Sequence, residues 1–194
     1  SRRHPLPARA QQRAFLAMAA AKSQAALHEL ALSYLDRFPC TEARLRQHLG
    51  TKIRKAIDEG VSPSEAWPWL DAVVGRLVEV GLVDDARWAE GRVAALRRRG
   101  RSERYIRQDL RKKGVGAEHA DEALVEEDET DDLRAAINLA RKRRMGPFCS
   151  EDKRADRRQK HLAAIARGGF SFAIASRVID AESPEALWEL VEDE

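Results

Sequence analysis

The residues in this sequence whose types and spacing suggest chemistry are cations, and they come in blocks. Arg97, Arg98, Arg99 and Arg101 close one stretch and enter a turn. Arg104, Arg107 and Arg111 then recur every three or four residues, which places them on one face of a helix. Lys112 and Lys113 complete that cluster, while Ile106 and Leu110 fall on a different arc. A second block comprises Arg141, Lys142, Arg143 and Arg144, followed by Arg157, Arg158 and Lys160. Clustered positive charge on a helix face suits a polyanion, because neutralising a phosphate backbone releases its condensed counterions. Two plainer explanations stand beside that one. Cations are favoured near the exposed carbonyls of a helix C-terminus, and the arginine faces could pair with acidic residues of 118–129 in the same chain. No helix is marked as a base-reading element, so any nucleic-acid contact is expected to be weak alone and sequence-independent.

Catalytic apparatus is not legible. There is no GxxxxGKS/T phosphate loop and no HExxH pair, and the five histidines are scattered at 4, 28, 48, 119 and 161. Cys40 and Cys149 are far apart and form no CxxC, which argues for a reducing compartment and against a disulfide or zinc scaffold. The expectation is therefore a protein that is not an enzyme, with no cofactor and no metal. Most carboxylates read as helix caps or solvated faces. His161 reads as solvated on a basic helix, and Trp67, Trp69 and Trp88 as core.

The elements that must carry these cations are helical. Aromatic residues make up only 6% of the chain, against 43% hydrophobic residues rich in Ala and Leu, so a β-type core is not expected. Leu27, Leu30, Ala31, Tyr34, Leu35 and Phe38 share one helix face, ended by Pro39. Leu45, Leu49, Ile53 and Ile57 recur every four residues after Thr41. Ser62-Pro63-Ser64-Glu65 has the spacing of a capping box. It opens a helix burying Trp69, Leu70, Val73, Val74, Leu77 and Val80, stopped by Gly81. Gly100, Ser102 and Gly114 punctuate the arginine-rich stretch, and Asp84-Asp85 and Asp131-Asp132 stand at helix starts as caps. No apolar run approaches a membrane span, and a cytoplasmic monomer is expected.

Charge alternates along the chain. Residues 87–115 hold eleven Lys/Arg against three Asp/Glu, and 118–133 hold nine acids and no Lys or Arg. Residues 134–160 return to ten bases against three acids. Aligning Gly114 with Gly169 puts Leu110 on Ile165, Val115 on Phe170, Ala120 on Ala175 and Leu124 on Ile179. Short helices cannot bury their apolar faces alone, so the expected fold is all-α, an elongated tandem array of three three-helix repeats without a sheet. The boundaries expected are a basic extension over 1–24, open to disorder, and repeats over 25–83, 84–130 and 131–180. An acidic tail or short helix follows over 181–194.

The stretches "LVEVGLVDDARWAEGRVAALRRRGRSERYIRQDLRKKGV" and "RADRRQKHLAAIARGGFSFAIASRVI" resemble the RecX regulatory proteins of bacterial recombination. Gly81, Leu82, Asp84, Asp85, Arg87, Trp88 and Ala89, then Gly100, Ile106, Leu110, Gly114 and Val115, carry the resemblance, which runs from about Ala26 to Ile179. "RLRQHLGTKIRKAIDEGVSPSE" departs from it as a longer second helix in the first repeat. The resemblance implies a modulator of RecA, acting in DNA repair and the SOS response, that binds in the groove of the RecA–single-stranded DNA filament and usually inhibits it. On that reading the basic blocks face the DNA or the filament. The alternative is a free-standing, sequence-independent DNA-binding module without a RecA partner.

Overall fold

Apolar residues at three- and four-residue spacing, separated by proline, glycine and capping hydroxyls, fold into helices throughout the computed structural model, which describes residues 21–125 and 129–192. Most of the expected basic extension (1–20), part of the acidic run (126–128) and residues 193–194 lie outside the described residues. Among the described residues there are ten α-helices, one 3₁₀ turn and no strand. Helices α1 (Gln24–Leu35), α2 (Glu42–Asp58) and α3 (Pro63–Glu79) come first. Then follow α4 (Asp85–Arg98), α5 (Glu103–Lys112) and α6 (Ala117–Glu122). Next are α7 (Glu129–Arg143), a 3₁₀ turn (Gly146–Phe148), α8 (Glu151–Ala166), α9 (Phe172–Asp180) and α10 (Pro184–Glu192). The chain divides into two compact units, one ending at Trp88 and the other beginning at Ala89.

In the first unit α3 packs on both α1 and α2. Leu27, Leu45, Leu49, Ile53, Val74 and Leu77 are fully buried between them. Each such side chain contributes roughly 1.5–3 kcal/mol relative to exposure, and this apolar face, rather than propensity, stabilises the helices. Three positions expected in the core are exposed instead. Phe38 is 50% exposed because α1 ends at Leu35, Val80 is 48% exposed at the C-cap of α3, and Trp67 is 40% exposed at the start of its second turn. Pro63 does occupy the first helical position, but Ser62 makes no capping bond and its hydroxyl pairs with that of Ser64 at 2.8 Å.

The N-terminus of α2 explains why this unit runs past Val83 to Trp88. Thr41 Oγ1 accepts from the Arg44 N–H at 3.2 Å, and Asp85 Oδ1 accepts from the Glu42 N–H at 2.7 Å. Trp88 Nε1–H donates to the Pro39 carbonyl at 3.3 Å. Two of the orphan donors that open a helix are thus satisfied, one of them by a carboxylate at the start of α4.

The second unit repeats the device at α5. Ser102 Oγ accepts from the Tyr105 N–H at 3.2 Å, while Asp132 Oδ1 on α7 accepts from the Glu103 N–H at 2.8 Å. Ser102 is fully buried, and its N–H and hydroxyl both donate to the Gly168 carbonyl, at 3.3 and 3.2 Å. Gly169 (φ +97°) follows, so close that a Cβ there would stand 2.2 Å from Ser102 Oγ. Only glycine fits a left-handed position with so close an approach. Around this contact α9 packs on α7 and α8, and α10 packs on α7. Their core centres on Ala136, Ile137, Ile165, Val178, Ile179 and Leu187. The aligned pairs Leu110/Ile165, Val115/Phe170, Ala120/Ala175 and Leu124/Ile179 are buried at every position.

Candidate nucleic-acid interface

Both basic blocks lie in the second unit, and the structure sorts their members by what they touch. α5 is held by Ile106 and Leu110, both fully buried, which turns Arg104, Arg107 and Arg111 outward. Together with Gln108, which sequence reasoning passed over, these three arginines line an open concavity of ≈ 430 Å³. Arg107 is partly neutralised there: its Nε donates to Glu103 Oε1 at 2.6 Å, and its Nη1 to the Asp121 carboxylate. The Glu103 bond and then the Asp121 bond strengthen its hold on its proton. Arg104 and Arg111 have no ion pair or hydrogen bond among the described residues. Lys112 and Lys113 are exposed at the end of the helix.

The turn before α5 is more committed to structure. Arg97 has a side chain only 15% exposed and donates to Asp132 Oδ1 at 2.5 Å and to the Arg101 carbonyl at 3.0 Å. Arg101 is half-buried, its guanidinium 4.4 Å from the centroid of the Tyr105 ring. Arg98 and Arg99 are exposed. In the second block Lys142, Arg143, Arg144, Arg157 and Lys160 are exposed, with Arg144 in the left-handed region at φ +52°. Arg141 donates to Asn138 Oδ1 at 3.2 Å and lies 5.7 Å from the Trp188 ring. Arg158 makes a two-pronged pair with Asp180, at 2.7 and 2.6 Å, and this pair depresses the Asp180 pKa.

The aspartate pairs do not act alike. Asp84 Oδ1 accepts from the Arg87 N–H at 2.9 Å, at the start of its own helix. Asp85 and Asp132 instead serve the N-termini of α2 and α5. Asp131 and Asp132 lie inside α7, which starts at Glu129, and Asp131 pairs with Arg134 at 3.5 Å.

Three polar contacts had no signal in the residue pattern. Arg92 forms a two-pronged pair with Asp109, at 2.7 and 3.0 Å, which lowers the Asp109 pKa. Arg154 donates to the carbonyls of Ile179, Ala181 and Glu182 at the end of α9. His161 is not solvated as expected but 6% exposed, and its Nδ1 accepts from the Gly146 N–H at 3.2 Å. Burial depresses its pKa, assisted by the charges of Arg157 and Lys160. The chain turns back onto α8 at Arg144 and Gly146, both at positive φ, and that fold-back covers the imidazole.

Among the described residues, no group of three His, Cys, Asp or Glu side chains is placed to hold a metal ion. No helix there is long and apolar enough to cross a membrane.

A family model described as "RecX, second three-helix domain" matches residues 84–124, which is α4 to α6 with the arginine face. The chain is 40% identical over 157 residues to the regulatory protein RecX of Myxococcus xanthus, covering 79% of this chain and 84% of that one. It is 35% identical over 156 residues to the regulatory protein RecX of Agrobacterium fabrum, covering 80% and 83%. In fold it is similar to the crystal structure of RecX from Lactobacillus salivarius, with a TM-score of 0.62 at 18% identity, over 90% of this chain and 99% of that one. The two share an all-helical fold. The chain belongs to the RecX family of regulatory proteins.

Proposed function

We propose that this chain is a non-enzymatic regulator of homologous recombination and DNA repair. It lies in the groove of RecA filaments on single-stranded DNA and inhibits RecA ATPase, strand exchange and co-protease activity. The observation that carries this reading is the outward face of α5, where Arg104 and Arg111 stand without partners among the described residues around an open concavity. Exposed cations at α4, α7 and α8 extend the positive surface of the same unit: Arg98, Arg99, Lys142, Arg143, Arg144, Arg157 and Lys160. On this reading residues 25–83, 84–130 and 131–180 are three successive modules of a cytoplasmic monomer. Several weak contacts along a filament then reinforce one another, and membership in a family of regulatory proteins supports the assignment.

The test is a titration of RecA–single-stranded DNA ATPase and strand exchange with the wild-type chain and with R104A/R111A. The wild type slows both reactions, and the variant requires a higher concentration to do so. Each single-strand phosphate contact contributes about 0.7 to the slope of log affinity on log salt, so the variant's slope falls by about 1.4. Rates unchanged at saturating wild-type protein would refute the proposal. Tight, salt-steep duplex binding without RecA would favour a free-standing DNA-binding module.

A further inference from the structure

The first unit contains a cluster of rings that the proposal above does not use. α1 ends at Leu35, and the N–H groups of Arg37 and Phe38 both donate to the Tyr34 carbonyl, at 3.1 and 2.9 Å. Pro39 follows, so the helix cannot continue, and Phe38 is folded beside Tyr34 with ring centroids 5.5 Å apart. From α2, the His48 imidazole stacks on Tyr34 at 3.9 Å and 13° between planes. Lys52 lies one helical turn beyond His48, on the same face. Arg37 places its guanidinium 5.2 Å from the Phe38 centroid. These side chains and Leu30 line a pocket of ≈ 150 Å³ that includes no carboxylate.

The dimensions and chemistry restrict the occupant. An engineered apolar cavity of about 150 Å³ accepts a single benzene ring, whereas drug-sized ligands occupy roughly 300–1,000 Å³. A pocket of this size takes one flat ring system. It is lined by the Tyr34 and His48 rings, stacked on each other, and by Phe38, Leu30 and Ser33, with Arg37 and Lys52 beside them, and Phe38 is half exposed. Burial depresses the His48 pKa, with Lys52 and Arg44 adding to the effect, so the imidazole contributes as a neutral ring. Ring stacking beside positive charge is how single strands are held without sequence preference. Duplex bases, already stacked on their neighbours, cannot enter. An acidic peptide would find ring faces where it needs backbone partners.

We propose that this pocket binds an unpaired base of single-stranded DNA, the base against Tyr34, Phe38 and His48 and its phosphate at Arg37 and Lys52. The site is separate from the α5 arginine face and requires no RecA. The full chain is titrated at low salt into a thymidine-rich single strand carrying one 2-aminopurine, whose fluorescence is quenched by stacking. Anisotropy of an end label reports total binding in parallel. Wild-type protein quenches the single strand and leaves the matched duplex unquenched. F38A weakens the quenching transition on the order of tenfold, F38W restores it, and R37Q weakens it without changing the quenching at saturation. R104A/R111A lowers the anisotropy affinity and keeps the quenching, which separates this site from the α5 face. Absence of binding, binding without quenching, or an F38A response equal to wild type would overturn the proposal. So would displacement of the strand by a polyglutamate peptide at the concentration of the strand itself.

Discussion

Replacing Asp132 by alanine should be the most damaging single change near the arginine-rich turn, although Asp132 faces no expected ligand. Its side chain is 18% exposed and accepts from Arg97, itself 15% exposed, and from the first N–H of α5. Removing one partner of a buried ion pair costs about 3–5 kcal/mol, because the other charge is left stranded. Losing a capping acceptor adds about 1 kcal/mol. Residual solvent access to both groups reduces the sum to about 3 kcal/mol. For a chain of 194 residues this corresponds to a fall in Tm of roughly 6–12 °C, readable by calorimetry. D132N keeps an acceptor for both donors and should lose about half as much. R97M/D132A should be more stable than D132A, because the stranded cation is gone. A shift in D132A within ~1 °C of wild type, or a double variant less stable than D132A, would refute the account. The same reasoning separates Arg97 from its neighbours. Its reversal to glutamate should appear as lost stability, whereas reversal of Arg98 or Arg99 should leave Tm unchanged within ~1 °C.

Further expectations follow from the same contacts. G169A should destabilise by at least ~2 kcal/mol, since it combines a left-handed position with a collision against Ser102. G75A, inside α3 with nothing near its added methyl, should stabilise by ~0.5–1 kcal/mol; urea melts compare the two. His161 makes stability depend on pH in a fixed direction. Its folded pKa lies below the unfolded value of about 6.5, so the unfolded chain binds more protons between the two. Its contribution is therefore complete above that unfolded value and declines as pH falls below it. His48 acts with the same sign, and urea midpoints at two pH values should differ less in H161Q than in wild type. D85A should remove a cap from α2 and lower stability by about 1 kcal/mol, with faster amide exchange confined to the first turn of that helix.

Helix positions were readable because apolar spacing, capping hydroxyls and glycine stops agree with one another. Gly81, Gly100, Gly114 and Gly169 all take the left-handed conformation that ends a helix. What could not be read was where a polar group finds its partner when that partner is distant in sequence. Asp85 and Asp132 look like caps of their own helices, and only packing shows that they reach α2 and α5. The cationic face of α5 was visible as a spacing, but Asp132 on Arg97, Asp121 on Arg107 and Asp180 on Arg158 all come from other helices, and only Glu103, four residues before Arg107, lies on the same one. Hydrophobicity misplaced Phe38 and Trp67 because it reports what prefers burial, not whether the chain has already turned away, as at Phe38, or which arc of its helix meets the core, as at Trp67. His161 shows the converse, a polar side chain enclosed by a turn built at Arg144 and Gly146.

The capping of α2 by Asp85 also has a bearing on synthesis. A ribosome delivers α2 well before it delivers Asp85, so the first amides of that helix wait on water until the start of α4 has emerged. The same holds for α5 and Asp132. A nascent segment ending just after Val83 has every apolar side chain of the first core and still lacks the last bond that closes its helix start. Useful truncation points therefore fall a turn into the succeeding helix, after Trp88 for the first unit, rather than in the loop where a boundary looks natural.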